Sequence, residues 1–314
     1  MLSRRCLALA AMTLATPALA QSDPLRIIVN FPPGGALDGT ARLIAEHAMR
    51  AGRGTVVVEN RPGAGGNIGA AAAARARPDG RTVLAALDTS VTVNPHLYRN
   101  LGYEVQALAP VANLGSFALV LLVHPTHPAK TLPAFLAAAR REPLFYSSGS
   151  VGSPGHLAME HLRQLTGLPP VALEHVPQRG NAEALTAIVS GQVPAGFLAL
   201  GGGPQLVASG RLRALAVSGA ARHPLLPDVP TVIESGVPGF EVRIANILFA
   251  PSGTPEAAMQ EWSALARDAL ATEAAKQRLA GWGIDAPEAT AAAFIAANDA
   301  RWGRVVRESG MRLD

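Results

Sequence analysis

Cysteine, lysine and aromatic side chains are all scarce in this chain, and each scarcity removes a class of function. One cysteine, Cys6, cannot form an intramolecular disulfide or a cysteine metal centre. Of 27 basic residues only Lys130 and Lys276 are lysines, and the arginines are scattered. With aromatics at 4% and no basic run interleaved with them, nucleic-acid binding is unsupported. No segment of the body reaches the roughly 20 apolar residues of a membrane helix. Phe117 to Val123 is apolar but shorter, and reads as a buried strand. Catalytic signatures are absent too: no serine stands in G-x-S-x-G, and the eight histidines show no H-E-x-x-H spacing. His124 and His127 flank Pro125 without a third ligand nearby. Neither an enzyme nor a metal or other cofactor is expected.

The N-terminus reads as an export signal. Arg4 and Arg5 form a basic start, Cys6 to Leu14 an apolar stretch, and Ala18-Leu19-Ala20 a cleavage site. Residues 1–20, with the only cysteine, are expected to leave, and the mature protein to start at Gln21 in the periplasm. Loss of Arg4 and Arg5 takes two charges from a net +4, leaving a mild positive balance that suits small anions. The roughly 294 remaining residues are ample for one or two cores.

Short apolar strands then alternate with helical stretches. Strands are expected at Leu25–Val29, Val56–Glu59, Thr82–Ala86, Ala118–Val123, Leu144–Ser147, Ala172–Val176, Ala195–Leu198, Arg213–Val217 and Ile244–Ala250. Helices are expected at Leu37–Ala51, Ile68–Ala76, Thr131–Arg140, His156–Thr166, Asn181–Ser190, Pro255–Leu270 and Thr290–Ser309. This alternation predicts α/β lobes with parallel sheets and helices on both faces. The length suggests two: residues 21–122 and 240–314 as lobe I, and 123–239 as lobe II. In the last helix Phe294, Ile295, Trp302, Val305 and Val306 make an apolar packing stripe.

Two loops carry the functional signal. In Asn30-Phe31-Pro32-Pro33-Gly34-Gly35-Ala36-Leu37-Asp38 a strand turns sharply into a helix, whose free N–H groups suit a carboxylate or phosphate. The same glycines would also serve a turn made for steric reasons alone. Phe145-Tyr146-Ser147-Ser148-Gly149-Ser150-Val151-Gly152-Ser153-Pro154-Gly155-His156 offers a second cradle, of serine hydroxyls and backbone N–H groups, or else a plain N-cap. His156 reads as a structural residue. Arg61-Pro62-Gly63-Ala64-Gly65-Gly66-Asn67-Ile68-Gly69 fits neither nucleotide-binding glycine pattern, and reads as a tight packing loop.

Taken in order, these blocks resemble the Bug family, the periplasmic receptors of tripartite tricarboxylate transporters. The resemblance runs through Phe31-Pro32-Pro33-Gly34-Gly35 with Asp38, then Val56 to Gly69, Pro78-Asp79-Gly80 and Asn94-Pro95-His96-Leu97-Tyr98. It continues with Gly152-Ser153-Pro154-Gly155-His156-Leu157, His175-Val176-Pro177, Gly210 to Val217, Leu226 to Thr231 and Ala250-Pro251-Ser252-Gly253-Thr254-Pro255. It implies a two-lobed periplasmic binding protein of the type II, Venus-flytrap kind, with a hinge and an interlobe cleft for a small organic acid. It also implies membrane permease subunits as partners of a monomeric receptor. Carried over, the ligand contacts fall on Phe31, Gly34, Gly35, Ala36 and Asp38, with Ser148, Ser150 and Ser153. Thr89 and Ser90 lie where the family places another cleft loop. Asp88 beside them is either a replacement acid or a surface residue.

The chain departs from the family where ligands are told apart. Gln178-Arg179-Gly180 stands where Tyr-Lys-Gly is usual, and Leu198 where an aspartate is frequent. A bulky aromatic is missing near Ala245-Asn246. The lost acid argues against an amino-acid ligand. Gln178 and Leu198 therefore join the candidate ligand-binding positions.

Overall fold

The computed structural model describes residues 23–314; the expected signal peptide lies outside them. In chain order the strands are β1 (Leu25–Val29), β2 (Val56–Asn60), β3 (Thr82–Leu87), β4 (Leu108–Val123), β5 (Leu144–Ser148), β6 (Leu173–Pro177), β7 (Ala195–Ala199), β8 (Arg213–Val217) and β9 (Arg243–Pro251). The helices are α1 (Ala36–Arg50), α2 (Asn67–Ala74), α3 (Thr89–Thr92), α4 (Asn94–Leu97), α5 (Leu132–Ala139), α6 (Pro154–Leu165), α7 (Asn181–Val189), α8 (Gly203–Ala208), α9 (Glu256–Ala271), α10 (Glu273–Gly281) and α11 (Ala291–Ser309). None is long and apolar enough to cross a membrane among these residues.

The strands follow the order β2-β1-β3-β9-β4-β7-β5-β6, with β8 also on β4. Two parallel sets stand at the ends: β1 with β2 and β3, and β5 with β6 and β7. The expected all-parallel pattern gives way between them, because β9 and β4 run antiparallel to their neighbours. β4 is 16 residues long, nearly three times the expected Ala118–Val123. Its first part, Leu108 to Ala118, pairs with β9, and its last, Leu119 to Val123, pairs with β7 and β8. One strand thus serves both halves of a two-lobed α/β binding-protein fold.

Burial follows from periodicity. On α1, Leu37, Ala41, Ile44, Ala45 and Ala48 share the buried stripe that packs on Ile27, Val29, Val83 and Leu248. The other face of that sheet is covered by α2 and the start of α11, where Phe294 and Ile295 are half-buried. Trp302, Val305 and Val306 of α11 sink into a larger cluster that takes residues from both halves, among them Leu97, Leu121, Tyr146, Phe197 and Phe240. In the second half, β4 and β7 also pack against α7 through Ala184 and Ile188 and against α8 through Leu206 and Val207.

The glycine-rich segment after β2 is a buttress. A Cβ on Gly69 would lie 2.8 Å from Asn30 Cα and 2.9 Å from Arg61 O, so the loop and α2 sit directly on the end of β1. Asn94 donates to Gly65 O and to Asn67 Oδ1, and Tyr103 donates to Ser90 O, tying the loop to α3 and α4.

Candidate functional site

The two strand-to-helix loops named above leave the C-terminal ends of parallel strands β1 and β5, the edge where open α/β sheets place ligands. In the first, Phe31 is half-buried while Pro32, Pro33, Gly34 and Gly35 are exposed. Gly34 has φ +86°, a left-handed conformation that favours glycine. Gly35 is the N-cap of α1 and, having no side chain, leaves the first N–H groups of Ala36 and Leu37 without a side-chain cap.

Asp38 is 4% exposed and turned inward. Its Oδ2 accepts from Gly34 N and Arg42 Nε, each at 3.0 Å. Its Oδ1 accepts from Arg42 Nη2 at 3.0 Å and Asn60 Nδ2 at 2.9 Å. Burial by itself would raise the carboxyl pKa, but these donors outweigh it and hold the group below the usual carboxylate range. Asn60 also donates to Phe31 O. Asp38 therefore fixes the loop through four donors of its own protein.

In the second loop Ser148 is fully buried. Its Oγ lies 2.9 Å from Ser153 Oγ, 3.1 Å from Ser150 O and 2.7 Å from His175 Nε2. Ser150 and Ser153 are partly exposed. Ser153 is the N-cap of α6, yet its side chain does not cap the helix, so this helix also begins with free N–H groups. Gly152 N donates to His156 Nδ1 at 3.0 Å, the structural role expected of that histidine. His156 and His175 stack with centroids 4.0 Å apart, and Tyr146 stacks on His175 at 5.0 Å. Burial lowers His156 to a pKa of about 3, helped by His175, and lowers His175 to about 4. Both rings are neutral at ordinary pH.

The Ser148–His175 contact is invisible in the sequence, where the two residues stand on separate strands. It has the reach of a nucleophile–base pair, but no carboxylate orients the other ring nitrogen of His175 among the described residues. Its neutral ring and its buried hydroxyl suit a fixed hydrogen-bond network.

The remaining candidates are distributed unevenly. Thr89 and Ser90 are buried at the start of α3. Ser90 Oγ accepts from Asn30 Nδ2 at 3.0 Å, so it supports the end of β1. Asp88 is fully buried and is not a surface residue. Its Oδ1 accepts from Ala245 N at 3.0 Å, and burial raises its pKa to about 7. Gln178 lies beside the serine loop, its N–H donating to Ser148 O at 2.9 Å. Leu198 is 1% exposed and packs in the apolar cluster with Val120, Ala184 and Ile188, within the core of the second half.

The two loops meet over one core. Phe31 packs on the cluster that contains Tyr146 and Leu157, and Gly152 lies against Leu97 of α4. Three residues outside the expected ligand contacts hold this arrangement: Asn60, Arg42 and His175. Asn60 and His175 belong to recognised blocks, but nothing in their spacing says that they reach Asp38 and Ser148.

Known proteins resemble this chain in sequence and in fold. The chain is 32% identical over 325 residues to the protein BugT of Bordetella pertussis, covering 98% of both. It is 33% identical over 290 residues to a UPF0065 protein of the same organism, covering 90% of this chain and 88% of the relative. Among solved structures, Rpa4515 of R. palustris with adipate superposes with a TM-score of 0.83 at 29% identity, over 92% of this chain and 98% of that one. MatC from Rhodopseudomonas palustris with bound malate superposes with a TM-score of 0.80 at 30% identity, over 90% of this chain and 98% of that one. The periplasmic binding protein BugD gives 0.79 at 28% identity, over 92% and 98%. The profile described as tripartite tricarboxylate transporter family receptor matches residues 40–311, and the chain belongs to that family of periplasmic binding proteins.

Proposed function

We propose that this protein is a periplasmic receptor that captures a small organic carboxylate between its lobes and delivers it to membrane permease subunits of a tripartite tricarboxylate-type transporter. The observation that carries the reading is the pair of helix N-termini, on α1 and α6, that lack side-chain caps and open at the C-terminal ends of two parallel strands. Exposed Gly34 and Gly35 supply backbone at one, and Ser150 and Ser153 supply hydroxyls at the other. The solved relatives with adipate and malate bind acids of this class. Lobe I is read as residues 21–122 and 240–314 and lobe II as 123–239, the crossing falling inside β4, where Leu119 to Val123 already pair with β7 and β8. The receptor acts without cofactor or catalysis, as a monomer, after removal of residues 1–20. Ligand binding favours the closed arrangement of the lobes, which the permease recognises.

Titration calorimetry of the protein lacking residues 1–20 against a panel of mono- and dicarboxylates tests the reading. Gly35→Val is the informative variant. The nearest atom to a Cβ at Gly35 is Pro32 O at 4.0 Å, so the fold tolerates a side chain there. That side chain would stand where the acid approaches, and binding should be lost. Unchanged affinity would refute the role of the first loop. The Ser148–His175 contact favours a second reading, an exported hydrolase. Turnover of an ester panel that disappears in Ser148→Ala would establish it.

A further inference from the structure

Asn246 lies within β9 with its side chain buried, 1% exposed, and neither Oδ1 nor Nδ2 has a hydrogen-bonding partner in the protein. A buried amide in that state is strongly unfavourable and calls for a partner from outside the chain. Alternation along the strand puts Ile244, Asn246 and Leu248 on one face. Ile244 belongs to the core shared by the two halves, and Leu248 to the cluster under α1, so Asn246 sits at their seam. Phe31 of the first loop packs on both of these clusters. On β3 the residue opposite Asn246 is Leu87, which leads into Asp88 and Thr89. On the other side β4 bulges between Asn113 and Ser116, which interrupts the ladder beside Asn246.

We propose that Asn246 is a specificity-determining residue that reads the end of the ligand remote from its bound carboxylate. The group it reads is neutral and both donates and accepts hydrogen bonds, a carboxamide or a hydroxyl, and is not a second carboxylate. The inference rests on the carboxylate-receptor reading above. Its chemistry comes from the side chain: a primary amide offers N–H donors and one carbonyl acceptor, and a single ligand group satisfies both only if it can itself accept and donate. A carboxylate would answer Nδ2 and leave Oδ1 facing another acceptor. Arg243, three residues before Asn246 and on the opposite face of the strand, is committed to Asp285 at 2.7 Å. Asp88 already places an acid against Ala245 N.

The test uses the protein lacking residues 1–20 and calorimetry with matched probes: succinate against succinamate, adipate against its monoamide, and butyrate against 4-hydroxybutyrate. The wild type should prefer the amide or hydroxyl member of each pair by about tenfold. Asn246→Leu should lose that preference and keep its affinity for butyrate. Thermal unfolding verifies that it folds, and Asn246→Ala serves as the second variant if leucine is not accommodated. A wild type that prefers the dicarboxylates, or variants that keep the wild-type preference, would overturn the role of Asn246 and leave the receptor reading intact. Absence of binding to every carboxylate, the full panel included, would overturn the receptor reading itself.

Discussion

The two strand-to-helix loops solve one geometric problem with opposite chemistry. Each turns a buried parallel strand into a helix at a site with no side-chain cap. The first keeps its side chains for itself: Asp38, Arg42 and Asn60 lock the turn from behind, and only backbone faces outward. The second is held by hydroxyls and a neighbouring ring, the buried Ser148 bonding to Ser153 and to His175 of β6, with Ser150 and Ser153 partly exposed. One loop is held by charge, the other by hydroxyls and the neutral ring of the adjacent strand. A main-chain cradle cannot be edited by point mutation except through its supports, whereas a hydroxyl cradle can be changed directly.

The largest effect should come from Gly155→Ala. A Cβ there overlaps Phe197 O and comes within 3.2 Å of Ser148 Cβ, so α6 must move off β7. A loss of about 3 kcal/mol is expected in urea unfolding. Gly35→Ala, at the start of the other helix, should stay within about 0.5 kcal/mol of wild type. If both glycines proved equally sensitive, the contrast between a braced and a self-contained loop would fail.

Asp38→Ala comes next. It removes the acceptor of four donors, although the Arg42 side chain is 48% exposed and solvent screens its share. A stability loss of about 2 kcal/mol is expected, with carboxylate affinity falling about tenfold as the loop loosens. Normal affinity in a destabilised Asp38→Ala would separate loop order from binding. Ser148→Ala should cost about 1 kcal/mol of stability, because His175 and Ser153 keep other means of solvation. Its effect on affinity, measured by calorimetry, should exceed its effect on folding.

The smallest effect is a pH dependence. Burial raises Asp88 to about 7, so its contribution to stability is complete below its ordinary 3.8 and is lost as pH rises through about 7. Burial lowers His156 to about 3 and His175 to about 4, so their contribution is complete above 6.5 and is lost as pH falls through those values. Asp88→Asn should therefore gain about 3 °C in Tm over wild type between about pH 5 and about pH 8. A constant difference across that range would place the titrating acid elsewhere.

The long helices were legible because their buried positions recur at about 3.6 residues, as on α1, and strands such as β3 as short apolar runs bounded by polar turns. β4 was half hidden: Pro110, Asn113 and Gly115 argue against a strand, and the ladder absorbs them as register shifts between Pro110 and Ala112 and between Asn113 and Ser116. α3 was missed because Thr89 to Thr92 is poor helix sequence, imposed here by Asp88 and the end of β3. In the candidate site the loops announced themselves through glycine and serine. The supports did not, since Asn60 to Asp38 and His175 to Ser148 are contacts between separate strands and loops. Asp88 was open between a replacement acid and a surface residue, and Ala245-Asn246 stood out only as a departure from the family, because a lone polar residue beside an apolar run does not disclose whether it is buried.

The long strand β4 also sets the mechanics of capture. Its ladder passes from β9 to β7 and β8 without an intervening loop, and Val242 N is tied to Ser218 O where the chain returns. Movement between the halves is then a torsion of hydrogen-bonded ribbon, with elastic resistance spread over many bonds. The chain returns between the halves through residues 218–242, which lie outside regular helices and strands but are tied back by Val242 N to Ser218 O and Val232 N to Val217 O. A receptor built this way carries its own return spring, and changes in the ligand loops leave that spring untouched.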